Sequence, residues 1–460
     1  MKTLADPRNA LAHGLAAIRG AYKVPASFPP DVLQAAERAA SRAPAAHVDR
    51  TDRPFVTLDP ASSTDLDQAF AIERSGADLV LHYAIADVAW FVEDGDPIDR
   101  EAWRRGETLY LPDGKAGLYP PVLSEHAASL LPDGPRPAVI FTIRVAVDGA
   151  VRLDGAERAV IRSRAKLAYD TVRDEQLPSG FSELADRIAQ AEQRRGAARI
   201  DPPEQELARD GAGFRLVFRP RLLSEIRNAA LSLAANLAIA DALYAHRTGL
   251  FRIMPEADAL AVRRLRFTAH AFGMEWPETT DLAGFEKGLD PADPKHAALM
   301  LAIRRAGGGA TYAPFVPGAE PWHAAMAARY AHATAPLRRL ADRYVVRAAL
   351  AVANGEPVPA VVTQAFAALP PVMARADALS GQVDRAVIDL AEAVMLQGSV
   401  GEVFCAIVTD ADDRGARIQL CDHPVVGRVA VDGTAPGDRL EVRLKAADPD
   451  RRAIAFDPVR

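Results

Sequence analysis

The hydrophobic periodicity of the chain changes three times, and this feature constrains the fold more than any other. Residues 1–48 show helical spacing, residues 49–396 begin with strand-like runs and then turn helical, and residues 397–460 return to strands. Apolar residues recur every three to four positions in a helix and every second position in a half-buried strand. The sequence therefore predicts an α+β protein with a small helical N-terminal module, a mixed α+β central domain and a C-terminal all-β barrel.

The N-terminal module contains two segments with helical spacing, at 8–18 and 30–42, separated by a proline-bearing stretch. Pro30 and Asp31 suit the first turn of the second helix, because proline is tolerated there and a carboxylate favours the positive end of the helix dipole. Two helices and a turn fit either a helix-turn-helix that binds nucleic acid or a helical cap on the next domain. The cap is the commoner arrangement, and the sequence leaves both open.

Strands and helices of the other two domains follow from the same patterns. Short apolar runs bounded by Asp, Ser and Gly predict strands at 55–58, 79–85 and 138–145. The dipeptide Asp148-Gly149 predicts a hairpin turn after the third strand. Helical spacing appears at 222–246, 323–353 and 373–396. Five further strand-like runs predict a small barrel of the OB type, at 402–409, 414–420, 425–431, 439–446 and 452–456.

Composition excludes several classes of protein. The 460 residues carry 55 Lys and Arg against 61 Asp and Glu, and a net charge of −6 excludes a generally basic nucleic-acid coat. The two cysteines, Cys405 and Cys421, are too few for a disulfide framework or a four-cysteine zinc site, which fits a reducing compartment. Polar residues interrupt every apolar stretch, including the N-terminal one, so neither a signal peptide nor a membrane span is expected. We therefore expect a cytoplasmic monomer.

Three aspartates form the densest polar cluster of the strand-rich half. Asp59, Asp65 and Asp67 follow the pattern Asp-x5-Asp-x-Asp, and Asp65 and Asp67 point the same way if the backbone is extended. Three carboxylates held together repel each other unless cations neutralise them, and hard oxygen ligands favour Mg²⁺ or Mn²⁺. A solvated loop whose aspartates cap turns is the alternative interpretation of the spacing alone.

A row of arginines lies in the helical half. Arg339, Arg343 and Arg347 recur every fourth residue, which places them on one face of the helix predicted over 323–353. Arginine forks bind phosphate oxygens in pairs. The alternative is a cationic face paired with Asp342 and solvent. A carboxylate metal cluster and phosphate-binding arginines in one domain indicate cleavage of phosphodiesters.

These segments, taken in order, resemble the RNase II (RNB) exoribonucleases. The resemblance covers most of the chain and ends in an OB barrel. Its ordered blocks are 54–70, 82–88, 99–112, 123–132, 251–255 and 330–344. It implies a processive 3′→5′ exoribonuclease that hydrolyses RNA to nucleoside 5′-monophosphates with Mg²⁺, or Mn²⁺, and that binds single-stranded 3′ ends.

The resemblance also assigns roles at the acidic cluster. Asp59 and Asp65 resemble metal ligands, and Asp67 resembles the ligand most directly tied to catalysis. Gln68 stands where the family signature usually has a second adjacent aspartate. Its carbonyl oxygen could bind a metal, although it lacks the charge.

Further residues resemble the family's RNA contacts. Arg338 matches the arginine that holds the phosphate beside the scissile bond, and Arg339 lies next to it on the backbone. Tyr110 matches an aromatic residue that stacks on the 3′-terminal base. Asp384 matches a carboxylate that helps to fix the terminal nucleotide. Weaker candidates interrupt the apolar helix at 222–246, namely Glu225 and Asn228.

The chain departs from the family before its catalytic region. The family generally carries two cold-shock OB domains there, whereas residues 1–48 show helical spacing. Tandem barrels narrow the entrance to single strands, so their absence predicts a wider entrance that admits a duplex with a 3′ overhang. Two other functions remain open: an RNA-binding protein of the same fold with a weakened catalytic site, and a metal-dependent DNA exonuclease.

Overall fold

The computed structural model describes residues 9–197, 204–210, 213–219, 221–290, 293–412 and 414–459. Arg8, where the sequence predicts the first helix to begin, lies outside these ranges. The described residues form two N-terminal helices, a central domain built on a seven-stranded sheet, and a closed C-terminal barrel. The predicted α+β class and its arrangement along the chain are confirmed.

The N-terminal helices α1 (Ala10–Ala21) and α2 (Pro30–Ala40) pack on different parts of the central domain. The apolar face of α1 lies in a cluster with Val383 and Leu390. The apolar face of α2, which includes the fully buried Ala36, lies in the main core. Each helix therefore covers its own part of the domain, which favours the helical cap over a helix-turn-helix.

The strands of the first half of the chain are β1 (Val48–Asp49), β2 (Phe55–Asp59), β3 (Gln68–Ser75), β4 (Asp78–Ala86), β5 (Leu109–Leu111), β6 (Gly114–Ala116), β7 (Arg136–Val145), β8 (Val151–Ile161) and β9 (Ser163–Ala168). The sheet order is β1-β8-β7-β4-β3-β2-β9, and β5 and β6 form a separate hairpin. The pairs β1–β8 and β2–β9 are parallel, and the others are antiparallel. The predicted turn is confirmed, because Ala146 N–H donates to the Ala150 carbonyl and Gly149 has φ 75°.

Helices cover the sheet and extend beyond it. They are α3 (Val88–Phe91), α4 (Pro97–Arg105), α5 (Phe181–Arg194), α6 (Leu223–Ala245), α7 (Ala259–Ala271), α8 (Leu282–Glu286), α9 (Pro294–Ala306), α10 (Leu340–Ala353) and α11 (Ala360–Leu396). Short turns of other helix types are Leu123–Ala127, Asp174–Gln176 and Ala324–Met326. Helices α6 and α10 pack on β8 and on each other, so the predicted helix at 222–246 is confirmed as a core helix.

Three antiparallel ribbons connect the helices. They are β10 (Glu204–Asp210) with β11 (Gly213–Arg219), β12 (Leu250–Ile253) with β13 (Thr311–Pro314), and β14 (Trp322–His323) with β15 (Ala328–Arg329). The prediction of one helix over 323–353 is wrong in its first half. The backbone N–H groups of Ala333, Ala335 and Leu337 donate to the side chains of Asn236, Asp342 and Asp67. These contacts replace helical hydrogen bonds, so the helix begins only at Leu340.

Helix α11 is longer than the predicted helix at 373–396. It begins at Ala360 and continues through Pro370 and Pro371. Leu369 and Met373, on either side of the two prolines, are fully buried in the main core. Packing on both sides thus outweighs the helix-breaking tendency of proline.

The C-terminal barrel contains β16 (Val403–Asp412), β17 (Gly415–Leu420), β18 (Val426–Val429), β19 (Arg439–Asp448) and β20 (Ala453–Pro458). Its closed order is β16-β17-β18-β20-β19, which confirms the predicted five-stranded barrel. Cys405 and Cys421 form a disulfide inside this domain, with their Cα atoms 5.6 Å apart. The sequence did not predict this pairing.

Membrane insertion has no support among the helices that the structure describes. None of them combines the length and the apolar character that crossing a bilayer requires.

Candidate active site

The three predicted aspartates lie at one end of the central sheet. Asp59 is the last residue of β2, and Asp67 directly precedes β3. Asp67 is only 2% exposed, and Oδ2 of Asp59 is buried without a hydrogen-bond partner. The solvated-loop interpretation therefore does not hold for Asp59 and Asp67, because Asp67 and one carboxylate oxygen of the half-buried Asp59 have been removed from water.

A distant segment closes over Asp67. The Leu337 N–H donates to Asp67 Oδ1 at 2.6 Å, and Arg338 Nε donates to Asp67 Oδ2 at 2.7 Å. The segment before α10 contains a turn at 336–338, in which the N–H groups of Arg338 and Arg339 donate to the Ala335 carbonyl. This turn presents the Leu337 N–H and the Arg338 guanidinium to one carboxylate. Arg338 is thus brought to the acidic cluster as predicted, and 44% of its side chain remains exposed.

Burial changes the acidity of this cluster. Desolvation raises the pKa of Asp59 to about 7 and that of Asp67 to about 6, while the charge of Arg338 opposes both shifts. The charge of Asp65 raises both values further, and the charge of Asp67 raises the pKa of Asp59. Desolvation, and to a smaller extent the like charges, therefore favour the protonated forms of Asp59 and Asp67.

Asp65 is held by two side chains of the β5–β6 hairpin. Tyr110 OH donates to Asp65 Oδ2 at 2.8 Å, and Lys115 Nζ lies 2.9 Å from Asp65 Oδ1. Tyr110 and Lys115 are directly opposite each other in the hairpin register. Lys115 also lies 3.2 Å from Glu125. The sequence analysis missed Lys115, although the alternation of the hairpin places it on the same face as Tyr110.

Gln68 faces the interior of the sheet domain. Its Oε1 accepts a hydrogen bond from Tyr83 OH at 2.6 Å and one from Ser232 Oγ at 3.2 Å. The carbonyl oxygen that the sequence analysis offered to a metal is thus engaged by two hydroxyl groups. Its role as a ligand stays a prediction, and these contacts give it a structural role.

The arginine row does not form one phosphate-binding face. Arg343 is buried and pairs with Asp99, and Arg347 pairs with Asp94 through two contacts, the longer at 2.8 Å. Arg339, which precedes α10, donates to both oxygens of Asp342 at 2.9 and 2.8 Å. Acidic partners already neutralise these charges: Asp342 of α10 itself for Arg339, as the alternative interpretation expected, and Asp99 and Asp94 from another part of the chain for Arg343 and Arg347.

Asn228 and Glu225 hold main-chain groups at the edge of the site, one at the end of β2 and one at the start of α6. Asn228 Nδ2 donates to the Leu58 carbonyl at 3.1 Å and to Tyr169 OH at 2.9 Å, so it braces the end of β2 beside the acidic cluster. Glu225 accepts from the Leu222 N–H at 2.7 Å and pairs with Arg219 at 2.9 Å. Glu225 therefore caps α6.

Tyr169 is a site residue that the sequence analysis missed. Its N–H donates to the Asp59 carbonyl at 3.2 Å, and burial together with the charge of Asp59 raises its pKa to about 12. Tyr169 directly follows β9, which runs parallel to β2. Parallel strands bring their carboxyl ends to one edge of a sheet, so this pairing would have placed Tyr169 beside Asp59.

Asp384 lies on α11. It lines a cavity of about 760 Å³ between α11, the β10–β11 ribbon and the barrel. Burial raises the pKa of Glu107 to about 7, and the charges of Asp377 and Asp384 add to this shift while Arg339 opposes it. The charges of Asp384 and Arg339 therefore both act on the Glu107 carboxyl group.

The acidic cluster has the donors for a divalent cation. Within the ranges that the structure describes, no three His, Cys, Asp or Glu side chains are already arranged around one metal position. Lys115 and Arg338 instead neutralise Asp65 and Asp67. The unpartnered Asp59 Oδ2 and the raised pKa of Asp59 fit a cation bound at this carboxylate. The residues thus fit a metal, provided that the two cationic side chains move.

Comparison with known proteins decides the family. The RNB domain model matches residues 47–354, and the model of the RNase II-type exonuclease C-terminal S1 domain matches residues 402–459. The chain belongs to the RNB domain family. The RNB match includes the acidic cluster and Arg338, and the S1 match coincides with the barrel.

Two curated RNB relatives align along nearly the whole chain. Ribonuclease R of Aquifex aeolicus is 25% identical, and the alignment covers 95% of this chain and 69% of that protein. Ribonuclease R of Escherichia coli is 27% identical, with 95% and 60% covered. This chain thus spans between 60% and 69% of the length of these relatives.

Solved structures share the RNB fold. Mycoplasma genitalium RNase R in complex with ribose methylated single-stranded RNA has a TM-score of 0.86 at 20% identity, with 100% of this chain and 79% of that chain covered. The same protein in complex with double-stranded RNA has a TM-score of 0.84 at 21% identity, with 100% of this chain and 85% of that chain covered. Yeast Ssd1, a pseudonuclease, has a TM-score of 0.66 at 17% identity, with 96% of this chain and 57% of that chain covered. These likenesses establish the fold, which a pseudonuclease also has.

Proposed function

We propose that this protein is a processive, metal-dependent 3′→5′ exoribonuclease that hydrolyses RNA to nucleoside 5′-monophosphates. The observation that carries the proposal is the desolvated pair Asp59 and Asp67 with Arg338 placed against it. Burial of like charges costs free energy, and a purely structural site would gain nothing from keeping two carboxyl groups buried together. The RNB family of the chain and the RNase R relatives support the same activity.

The aspartates of the cluster and Arg338 would have different roles in catalysis. Asp59, Asp65 and Asp67 would hold Mg²⁺, or Mn²⁺. When bound, such an ion acidifies water and neutralises charge that develops on the phosphate oxygens. Arg338 Nε donates to Asp67 in this structure; once an ion takes that place, the guanidinium would be available to a phosphate oxygen.

The neighbouring residues would place the 3′ end. Tyr110 is 47% exposed beside Asp65, so its ring can stack on the terminal base. Asp384 would contact the terminal nucleotide, and Arg339, next to Arg338 in the chain, would contact the RNA backbone. Asn228 contributes by bracing the end of β2, and Glu225 by capping α6.

Two other functions remain alternatives. The likeness to a pseudonuclease is compatible with an RNA-binding protein whose catalytic site is weakened. The same metal chemistry would also permit a DNA exonuclease. We favour catalysis on RNA because the carboxyl groups are kept in the cluster despite the cost of their burial, and because the RNase R structures above have a similar fold.

Incubation with 5′-labelled RNA, or with DNA of the same sequence, in the presence of Mg²⁺ separates the three functions. We expect RNA to shorten from its 3′ end and DNA to persist. Asp67→Asn should abolish degradation and leave RNA affinity within a few-fold, whereas Asp186→Asn, an exposed aspartate on α5, should behave like the unmodified protein. RNA binding without cleavage would support the weakened site, and preferential loss of DNA would support the DNA exonuclease.

A further inference from the structure

The hairpin that holds Asp65 is too small to be stable by itself. Strands β5 (Leu109–Leu111) and β6 (Gly114–Ala116) have three residues each and pair only with each other. A two-stranded hairpin of this size is marginal in water unless it packs against another element. The position of Tyr110 and Lys115 at Asp65 therefore depends on what supports the opposite face of the hairpin.

That opposite face rests on the N-terminal helix. Side chains alternate along a strand, so Leu109 and Leu111 point away from the face that carries Tyr110. They share an apolar cluster with Leu15 and Ile18 of α1 and with the C-terminal half of α11. The hairpin thus lies between Asp65 on one side and this cluster on the other.

The tip of the hairpin is fixed by one side chain of α1. Arg19 Nε donates to Asp113 Oδ2 at 3.0 Å, and its Nη2 donates to Asp113 Oδ1 at 2.7 Å and to the Gly114 carbonyl at 3.2 Å. Gly114 has φ 138°, a conformation that favours glycine, so the tip has a defined shape. A paired arginine fork with a third hydrogen bond sets orientation as well as distance.

Helix α1 is itself seated closely on α11. A Cβ at Gly14 would lie 2.5 Å from both Cδ atoms of the buried Leu390, so glycine allows the two helices to approach. Since α11 is part of the main core, α1 transmits a fixed position from that core to the hairpin.

We propose that α1 is a strut for the catalytic cluster, and that Arg19 is its positioning residue, acting through the β5–β6 hairpin on Asp65. This gives the N-terminal module a role other than binding nucleic acid. The structural part of the inference stands by itself, and only its kinetic consequence rests on the proposed function.

Hydrogen exchange of the full chain tests the strut directly. In Arg19→Ala, amide exchange of peptides covering 109–116 should accelerate, while peptides from β19 (Arg439–Asp448) should exchange as before. The melting temperature should hardly change, because part-exposed ion pairs contribute little. The matched control is Arg38→Ala, which removes the same charge from the last turn of α2.

A double-mutant cycle separates one contact from two independent effects. Asp113→Ala should reproduce the faster exchange of 109–116, and the variant carrying both substitutions should exchange no faster than either single variant. Unchanged exchange of 109–116 in Arg19→Ala would overturn the strut. Additive effects, or an acceleration spread equally over the barrel peptides, would also overturn it.

The kinetic consequence distinguishes positioning from stability. We expect Arg19→Ala to lower kcat by about tenfold with little change in KM, since misplacement of a catalytic group by about 1 Å costs up to about 10²-fold. A change confined to KM would contradict positioning. If the unmodified protein degrades no RNA, the proposed function fails, and the exchange experiment still decides whether the strut exists.

Discussion

Arg338 donates from Nε to Oδ2 of Asp67 at 2.7 Å, although 271 positions separate the two residues in the chain. The adjacent Leu337 N–H donates to the other oxygen of the same carboxylate at 2.6 Å. The contact therefore joins the start of β3 to the segment that leads into α10. It also places a fixed positive charge beside a buried carboxylate, which determines how this site responds to pH.

Arg338→Ala should impair catalysis and shift its pH dependence. Arg338 lowers the pKa of Asp67, which burial raises to about 6, so its removal should move the acid limb of the kcat/KM profile to higher pH. Turnover should also fall by about 10²-fold, a typical cost of removing a donor to developing charge. The measurement is a pH–rate profile with labelled RNA, and an unshifted acid limb would contradict electrostatic coupling between the two residues.

Arg347→Ala is the matched control and tests the arginine row. Arg347 pairs with Asp94 at the surface, so its loss should cost at most about 1 kcal/mol of stability. We expect an unchanged pH–rate profile and unchanged RNA affinity. A marked loss of affinity would restore a phosphate-binding role for this part of α10.

Mg²⁺ should stabilise the fold more at pH 8 than at pH 6. The pKa of Asp59 is raised from 3.8 to about 7 in the folded protein, so the folded state binds more protons than the unfolded state between these values. Because of Asp59, the free energy of unfolding of the metal-free protein falls as pH rises towards 7. Above pH 7 the folded protein carries the full cost of an ionised, desolvated Asp59. At pH 6 a cation must displace a proton from Asp59, whereas at pH 8 it need not.

Thermal unfolding with and without Mg²⁺ measures this difference without any activity assay. Asp59→Asn should reduce the Mg²⁺-induced rise in Tm and make it nearly the same at both pH values. Asp186→Asn should retain the difference. An equal rise at pH 6 and pH 8 in the unmodified protein would show that Mg²⁺ does not bind through Asp59.

Gln68→Met should weaken the fold and leave the Mg²⁺ requirement unchanged. The substitution removes the acceptor that Tyr83 and Ser232 share. Because the two hydroxyls also hydrogen-bond each other at 2.6 Å, only one hydroxyl hydrogen loses its acceptor, at a cost of about 1–3 kcal/mol. Urea unfolding measures the loss, with Gln34→Met on the exposed face of α2 as the control. If the Mg²⁺ concentration for half-maximal activity rises, Gln68 is a metal ligand after all.

A duplex with a short 3′ overhang tests the width of the entrance. The part of the chain before the RNB match that the structure describes, from residue 9, forms the helices α1 and α2, and we expect degradation to continue into the stem. Product ladders from the full chain give the answer, because α1 and α2 bury core residues and their deletion would expose them. Products that end several nucleotides before the stem would show that the channel admits only single strands.

Local sequence patterns were sufficient to predict secondary structure wherever a segment's own residues determine it. The five barrel strands and the core helix α6 follow from hydrophobic periodicity, and the Asp148-Gly149 turn follows from its residue types. Periodicity did not reveal that residues 331–339 are not helical and contain a turn at 336–338. Their backbone N–H groups find acceptors on Asn236, Asp342 and Asp67, two of which lie far away in the chain.

The sequence by itself predicted which residues carry the chemistry: Asp59, Asp65, Asp67 and Arg338 were identified by type, spacing and family resemblance. Only the tertiary structure decided which charges meet. It placed Arg338 on Asp67, placed Lys115 on Asp65 and buried Arg343 against Asp99. The physical reason is that side-chain pattern reports which face of an element is apolar, whereas an ion pair depends on which distant segment packs opposite it.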